Sequence, residues 1–186
     1  MVIFGVGTLG SHFALLAADT FRNECEYKII DFDKVEKRNF RTQAYWPIYE
    51  NKFKVEALQS LIWGKTGVLV DPWKTCVKSR EHFTGYDLVV EVVDNPESIA
   101  LTKGLNCPVL HLKFIIQDGK PVGSILWDEK YNFGGAAKNG VDPCDVEGML
   151  AFAWVMAGHA VWVVNRFLTQ GVKENRVITL NNVQIF

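Results

Sequence analysis

The sequence has no C-x-x-C pair. Its four cysteines, Cys25, Cys76, Cys107 and Cys144, lie far apart, which argues against a zinc knuckle or a thioredoxin-type motif and reads as the reduced thiols of a cytosolic protein. It has no excess of either charge. Twenty Lys and Arg stand against 21 Asp and Glu, a formal net charge of −1, so there is no whole-chain electrostatic footprint for nucleic acid. No stretch is rich enough in Pro or Gly to read as disordered, and no internal repeat is visible. The start, Met1-Val2-Ile3-Phe4-Gly5, carries neither a basic n-region nor a cleavage signal, so a cytoplasmic location is expected. One run is free of charge: Gly148 to Val164, GMLAFAWVMAGHAVWVV, lies at the lower length limit for crossing a bilayer. Its flanking sheet elements suit a buried helix better, and no membrane partner is expected.

What is present is an ordinary globular composition, 48% hydrophobic with 22% charged in 186 residues, which fits a single domain over 1–186. Val2-Ile3-Phe4 predicts a short buried strand, Ser11 to Phe21 a helix, and Tyr27 to Asp31 a second strand, which completes a βαβ unit. Phe32 to Asn51 is too polar and irregular for a core element and reads as a functional loop with one helical turn. Lys52 to Trp63 has Phe53, Ala57, Leu58, Leu61 and Ile62 at helical spacing, with Gly64 as its stop. Val68 to Val70 and Asp87 to Val93 supply strands, and Asp94 or Asn95 caps a helix that has Pro96 at its first position. Val109 to Leu112 and Val122 to Trp127 are strands around the turn Gln117-Asp118-Gly119-Lys120. Val177 to Leu180 and Val183 to Ile185 form a hairpin through Asn181-Asn182. The alternation predicts an α/β fold, a doubly wound, Rossmann-like, mainly parallel sheet with an antiparallel C-terminal end.

Chemistry begins at Gly5-Val6-Gly7-Thr8-Leu9-Gly10. Glycines between a strand and a helix let the backbone turn sharply and approach a phosphate at the positive end of the helix dipole. Asp31, ending the second strand, is placed to accept hydrogen bonds from ribose hydroxyls. Asp33 either points the same way or caps the loop. Up to this point the residues suit a nicotinamide dehydrogenase as well as an ATP enzyme.

The next blocks separate the two. Asp31 to Gln43 reads D-x-D-x-V-x-x-x-N-x-x-x-Q, Lys54 to Leu58 reads K-x-E-A-L, and Val89 to Asn95 is a strand ending in Asp-Asn. With the glycine turn, these four motifs resemble, in order and spacing, the ThiF/MoeB/HesA superfamily, bacterial relatives of the ubiquitin-activating enzymes, and the resemblance covers nearly the whole chain. It implies binding of ATP and Mg²⁺ and adenylation of the C-terminal carboxylate of a ubiquitin-like or sulfur-carrier protein. By that resemblance Gly5, Gly7 and Gly10 cradle the nucleotide, Asp31 holds the ribose, Asn39, Arg41 and Lys54 face the phosphates, and Asp94 holds Mg²⁺, with Asp33 a further cofactor-binding candidate. Arg41, Lys54 and Asp94 are then the catalytic set. Such chemistry needs cations where charge builds on phosphate oxygens.

The chain also departs from the family. Thr42 stands where the family has an arginine, with Arg41 and Arg38 beside it, and Ile99 stands where the family often has another. Many members carry a helix before the first strand whose arginine reaches into the partner subunit's site; here the cation comes from elsewhere, or adenylation is slow or absent. Family zinc pairs are missing, so no zinc is expected. Cys144, in Val141-Asp142-Pro143-Cys144-Asp145 after the stretch Gly134 to Gly140, is the candidate thiol nucleophile, expected in an exposed segment, although its acidic neighbours oppose a thiolate. His12, His82, His111 and His159 read as structural. The apolar helix from Gly148 to Phe167 is expected to be covered by a subunit interface, in a homodimer or heterodimer, or buried within one subunit. Two other readings stay open: a catalytically silent partner subunit that binds nucleotide or carrier, and an NAD-dependent oxidoreductase.

Overall fold

The computed structural model describes residues 1–132, 142–179 and 182–185. Eight strands form one sheet: β1 (Val2–Phe4), β2 (Tyr27–Ile30), β3 (Val70–Trp73), β4 (Val89–Glu91), β5 (Val109–Gln117), β6 (Lys120–Trp127), β7 (Arg176–Thr179) and β8 (Val183–Ile185). Their spatial order is β3-β2-β1-β4-β5-β6-β7-β8. The first five run parallel, and β5 to β8 pair antiparallel. The fold is the α/β sheet with an antiparallel end that the alternation predicted. Its strand order reverses between β1 and β4, and in open α/β sheets the crevice outside the carboxyl ends at such a reversal is where ligands bind.

Side-chain alternation divides the core. Ile3, Ile29, Val90, Leu110, Leu112 and Ile125 face the helices α1 (Thr8–Phe21), α2 (Lys54–Thr66) and α4 (Met149–Gln170). Val2, Phe4, Ile30, Val89 and Val109 face the opposite side, covered by α3 (Pro96–Thr102) and the 3-10 turn Arg80–Phe83. α4 lies over β6 where Gly123 leaves room: a Cβ there would come within 2.3 Å of Met156 Sδ and 3.0 Å of Phe152 Cζ.

Several boundaries differ from expectation, each for a local reason. β3 begins at Val70, opposite Tyr27, and runs through Asp71, Pro72 and Trp73, while Leu69 points into solvent. Pro72 is tolerated because β3 is the sheet's edge. α2 passes through Gly64 and stops at Gly67, whose φ of 71° is left-handed and whose N–H bonds to Trp63 O. The β4 ladder is shorter than Asp87 to Val93. β5 is longer than Val109 to Leu112, because Asp118 and Gly119 both take positive φ and turn the chain only after Gln117. The loop 32–51 holds two 3-10 turns, Lys37–Arg41 and Pro47–Tyr49. β7 and β8 form the expected hairpin; Leu180 and Asn181 lie outside the described residues, as do Gly134 to Gly140 and Val141.

Replacing Gly123 by valine forces three carbon atoms into space already held by Met156 and Phe152. Overpacking of this kind lowers stability by about 1–3 kcal/mol, and urea unfolding of Gly123→Val should show a midpoint reduced accordingly.

Candidate functional site

The glycine turn lies between β1 and α1. Gly5 has φ 92°, donates its N–H to Ile30 O at 2.9 Å, and presses on the strand-to-helix connection of Asp94: a Cβ on Gly5 would lie 2.8 Å from Val93 Cγ1. Gly10, in the first turns of α1, is tighter still. Its Cβ would fall 2.0 Å from the Gly5 carbonyl oxygen, so α1 can approach the turn only with glycine at this position. Gly7, which precedes α1, is different: a Cβ there meets nothing within 4 Å, leaving open space at the helix N-terminus.

Val6, between these glycines, is held from both sides. Its N–H donates to Asp31 Oδ2 at 2.9 Å, and its carbonyl accepts from the buried Tyr45 hydroxyl at 2.6 Å. Asp31 Oδ1 takes the Asp33 N–H at 2.9 Å, so each carboxylate oxygen accepts one backbone N–H and retains capacity for a second bond. Desolvation raises the Asp31 pKa, offset in part by Lys54 and the two N–H donors. Tyr45 is a site residue that the sequence reading did not single out.

The other expected residues sit nearby in different states. Lys54 opens α2 and is buried; its ammonium meets Asp33 Oδ2 at 2.8 Å, and its N–H bonds to Asp33 O at 2.9 Å. Asp33 is thus paired with Lys54. Asn39 is buried, and its Oδ1 accepts the Glu36 N–H at 2.8 Å, capping the Lys37–Arg41 turn. Arg41 is exposed and reaches Asp145 Oδ1 at 3.4 Å. Arg38 reaches Glu36 Oε2 at 2.7 Å and Asp142 Oδ2 at 3.0 Å. Asp94 is exposed after β4 with no hydrogen-bond partner among the described residues, and Asn95 is the helix cap, its Oδ1 accepting the N–H groups of Glu97 and Ser98 at 2.8 and 3.2 Å. Ile99 is core.

Cys144 differs from expectation. It is buried, not exposed, with Sγ 3.2 Å from Thr42 Oγ1 and its N–H bonded to Asp142 Oδ1 at 2.9 Å. Burial pushes the thiol pKa up, and the Thr42 hydroxyl only partly offsets this. A thiol nucleophile needs an accessible thiolate, so this arrangement is that of an inert packed cysteine. Thr42 in turn contacts the Thr8 hydroxyl at 3.3 Å, at the first residue of α1, and its carbonyl meets His12 Nε2 at 2.9 Å. The position at which the sequence resemblance implies an arginine is therefore occupied by a buried hydroxyl cluster. Also missed from sequence was a buried ionic cluster under the crevice, Glu91, His111, Lys113 and Asp128. Its signal was available: two charged residues and a histidine inside otherwise apolar strands.

Comparison with known proteins bears on the fold. No family model and no curated protein matches the sequence. Solved structures do match. E. coli MccB with AMPCPP and MccA superposes with a TM-score of 0.74 at 16% identity, over 100% of this chain and 61% of that one. E. coli MccB with ATP gives 0.72 at 17%, over 100% and 62%, and PaaA gives 0.72 at 21%, over 100% and 62%. MccB is described as a microcin C7 biosynthetic enzyme, seen in complex with N-formylated MccA. At these identities the likeness shows a shared fold. The chain spans about three fifths of the length of those structures.

The two glycines predict opposite outcomes. Gly10→Ala meets backbone that no rotamer can clear and should lower unfolding stability by about 1–3 kcal/mol. Gly7→Ala meets nothing and should stay within about 0.5 kcal/mol of the parent, as parallel urea melts would show.

Proposed function

We propose that this chain, as one nucleotide-binding domain over 1–186, binds ATP with Mg²⁺ at the carboxyl ends of β1, β2 and β4 and adenylates the C-terminal carboxylate of a ubiquitin-like or sulfur-carrier protein or a comparable peptide. The observation that carries this reading is the open Gly7 position at the N-terminus of α1, with Asp31 ending the next strand and holding the turn, and with Asp94, which has no hydrogen-bond partner among the described residues, in the connection against which Gly5 packs. The likeness in fold to MccB, seen with ATP and with MccA, supports it. Backbone N–H groups at a helix start suit phosphates, and Asp31 suits the ribose. Among the described residues no cluster of three metal-ligating side chains exists. Mg²⁺ fits regardless, because it is commonly held by one or two carboxylates plus substrate phosphates, and Asp94 offers one.

In the reaction a carboxylate oxygen of the carrier attacks the α-phosphorus, the bond to the β-phosphate oxygen breaks, and pyrophosphate leaves with the electron pair. Lys54, Arg41 and Arg38 are the cations at hand, and each must exchange an internal carboxylate for a phosphate. The silent-partner reading is favoured by one observation, the Thr8–Thr42–Cys144 cluster where a cation is expected. The oxidoreductase reading leaves Lys54 and Asp94 without a task. We place the protein in the cytoplasm.

The same proposal includes a second copy of the chain. Leu150, Trp154, Val155 and Trp162 are exposed on the outer side of α4, and Trp154, Val155 and Trp162 line with Gly158, His159 and Arg176 an open groove of about 480 Å³. Trp154 and Trp162 stand four residues either side of Gly158, whose Cβ would meet nothing. A stripe symmetric about a small residue is self-complementary in an antiparallel pair, as a two-fold interface requires.

Calorimetry should show Mg²⁺-ATP binding ahead of NAD, weakened about tenfold or more in Asp31→Ala, the scale of losing hydrogen bonds to a charged group. Pyrophosphate exchange into ATP should depend on a carrier ending in glycine and vanish in Asp94→Ala. Nucleotide binding without any exchange would select the silent partner, and preference for NAD the oxidoreductase. In sedimentation the parent should be a dimer and Trp154→Lys a monomer; a monomeric parent refutes the α4 interface.

A further inference from the structure

A contiguous chain of ionic groups runs beneath α3, from its last residues back to the residue before Asp94. Lys103, the C-cap of α3, reaches Asp128 Oδ1 at 3.1 Å, and the Gly104 N–H reaches Asp128 Oδ2 at 2.9 Å. Asp128 Oδ1 lies 3.0 Å from His111 Nε2, and His111 Nδ1 lies 2.7 Å from Glu91 Oε2. Glu91 Oε1 accepts the Val93 N–H at 2.7 Å and the Lys113 ammonium, which also donates to the Val93 carbonyl. Glu91 and His111 are fully buried, and the Tyr131 ring stacks on His111 at 4.1 Å.

Such a cluster is costly. Buried ion pairs recover their desolvation only with good geometry and satisfied hydrogen bonds, and an apolar replacement of similar size is often as stable. Stability is therefore a weak reason for its presence. Its location offers another. Val93 is fixed at both N–H and carbonyl by Glu91 and Lys113, Asn95 is fixed as the α3 cap, and Lys103 and Gly104 are fixed at the far end. Ile99 and Leu101 hold the body of α3 by apolar packing, but the backbone on either side of Asp94 is held by polar bonds at Val93 and Asn95, while the Asp94 carboxylate is without a hydrogen-bond partner among the described residues and lies within electrostatic reach of Lys113.

We propose that Glu91 and Lys113 are positioning residues that hold the backbone on either side of Asp94 so that its carboxylate is presented to the metal of a bound nucleotide. This rests on the reading of Asp94 given above. Outer groups that orient a metal-binding carboxylate typically change metal affinity 10- to 100-fold when removed.

The test compares the parent, Lys113→Met and the double variant Glu91→Leu/Lys113→Met by thermal melting and by calorimetric ATP titration with and without Mg²⁺. Lys113→Met leaves Glu91 buried without its cation, so it should melt lower and lose about tenfold of the Mg²⁺-dependent gain in ATP affinity. The double variant removes the unpaired buried charge but leaves the Val93 backbone groups and His111 Nδ1 without these partners, so it should melt above Lys113→Met and below the parent, without recovering the Mg²⁺ gain. If the double variant regains the parent's Mg²⁺ gain, whatever its melting temperature, the network is structural and the inference is overturned. A parent whose ATP affinity ignores Mg²⁺ overturns the assignment of Asp94 itself, and the inference with it.

Discussion

The closest approach in the site is that of α1 to the Gly5 carbonyl, and the placement of the other groups depends on it. With no Cβ on Gly10 the helix seats against the turn, which brings its open N-terminus over the carboxyl end of β1. Val6 then cannot rotate, because Asp31 holds its N–H and Tyr45 its carbonyl. Those two residues come from β2 and from the loop after it, so one dipeptide ties three parts of the chain to a common point. On the far side Gly5 lies against Val92 and Val93, which passes the same constraint to the connection carrying Asp94. The crevice is thus defined by backbone contact first and by side chains second.

The cations around that crevice are balanced internally. Lys54 is paired with Asp33, Arg38 with Glu36 and Asp142, and Arg41 with Asp145. The pairs are not equivalent. Arg38 and Arg41 are exposed, and exposed ion pairs contribute little, so a phosphate can replace their carboxylates at small cost. Lys54 is buried and also tied to Asp33 through its backbone, so its ammonium stays where α2 begins. The fixed cation is Lys54; the arginines are adaptable ones.

What could be read from sequence was what depends on neighbours within a few residues. The glycine turn, Asp31 at the end of β2, the Asn95-Pro96 start of α3 and the turn at Asp118-Gly119 all follow from local rules, and all stand in the structure. What could not be read depends on partners far along the chain. Cys144 is buried because it meets Thr42, about a hundred residues away. Asn39 commits its Oδ1 to the cap of its own turn, and Asp33 pairs with Lys54 on the next helix. Glu91, His111 and Lys113 stand out as polar residues in apolar strands, but only the pairing of β4 with β5 sets Glu91 opposite His111. Strand limits erred where exposure decided them, as at Leu69.

β5 explains why the ionic cluster sits where it does. It is parallel to β4 only as far as Glu91 opposite His111, yet it continues to Gln117 in its antiparallel pairing with β6. Past that point the chain of β4 has turned away toward α3, and the backbone groups of Val93 face no ladder from β5. A main-chain bond is missing there, and unpaired backbone groups in such a place are expensive. Side chains supply the bonds instead: Glu91 takes the Val93 N–H and Lys113 the Val93 carbonyl. The divergence that opens the crevice is the same divergence that creates the need for these two charges. That is why a buried carboxylate and a buried ammonium occur side by side at the reversal of the sheet, where an apolar pair would fill the space but could not hold the backbone that leads into Asp94.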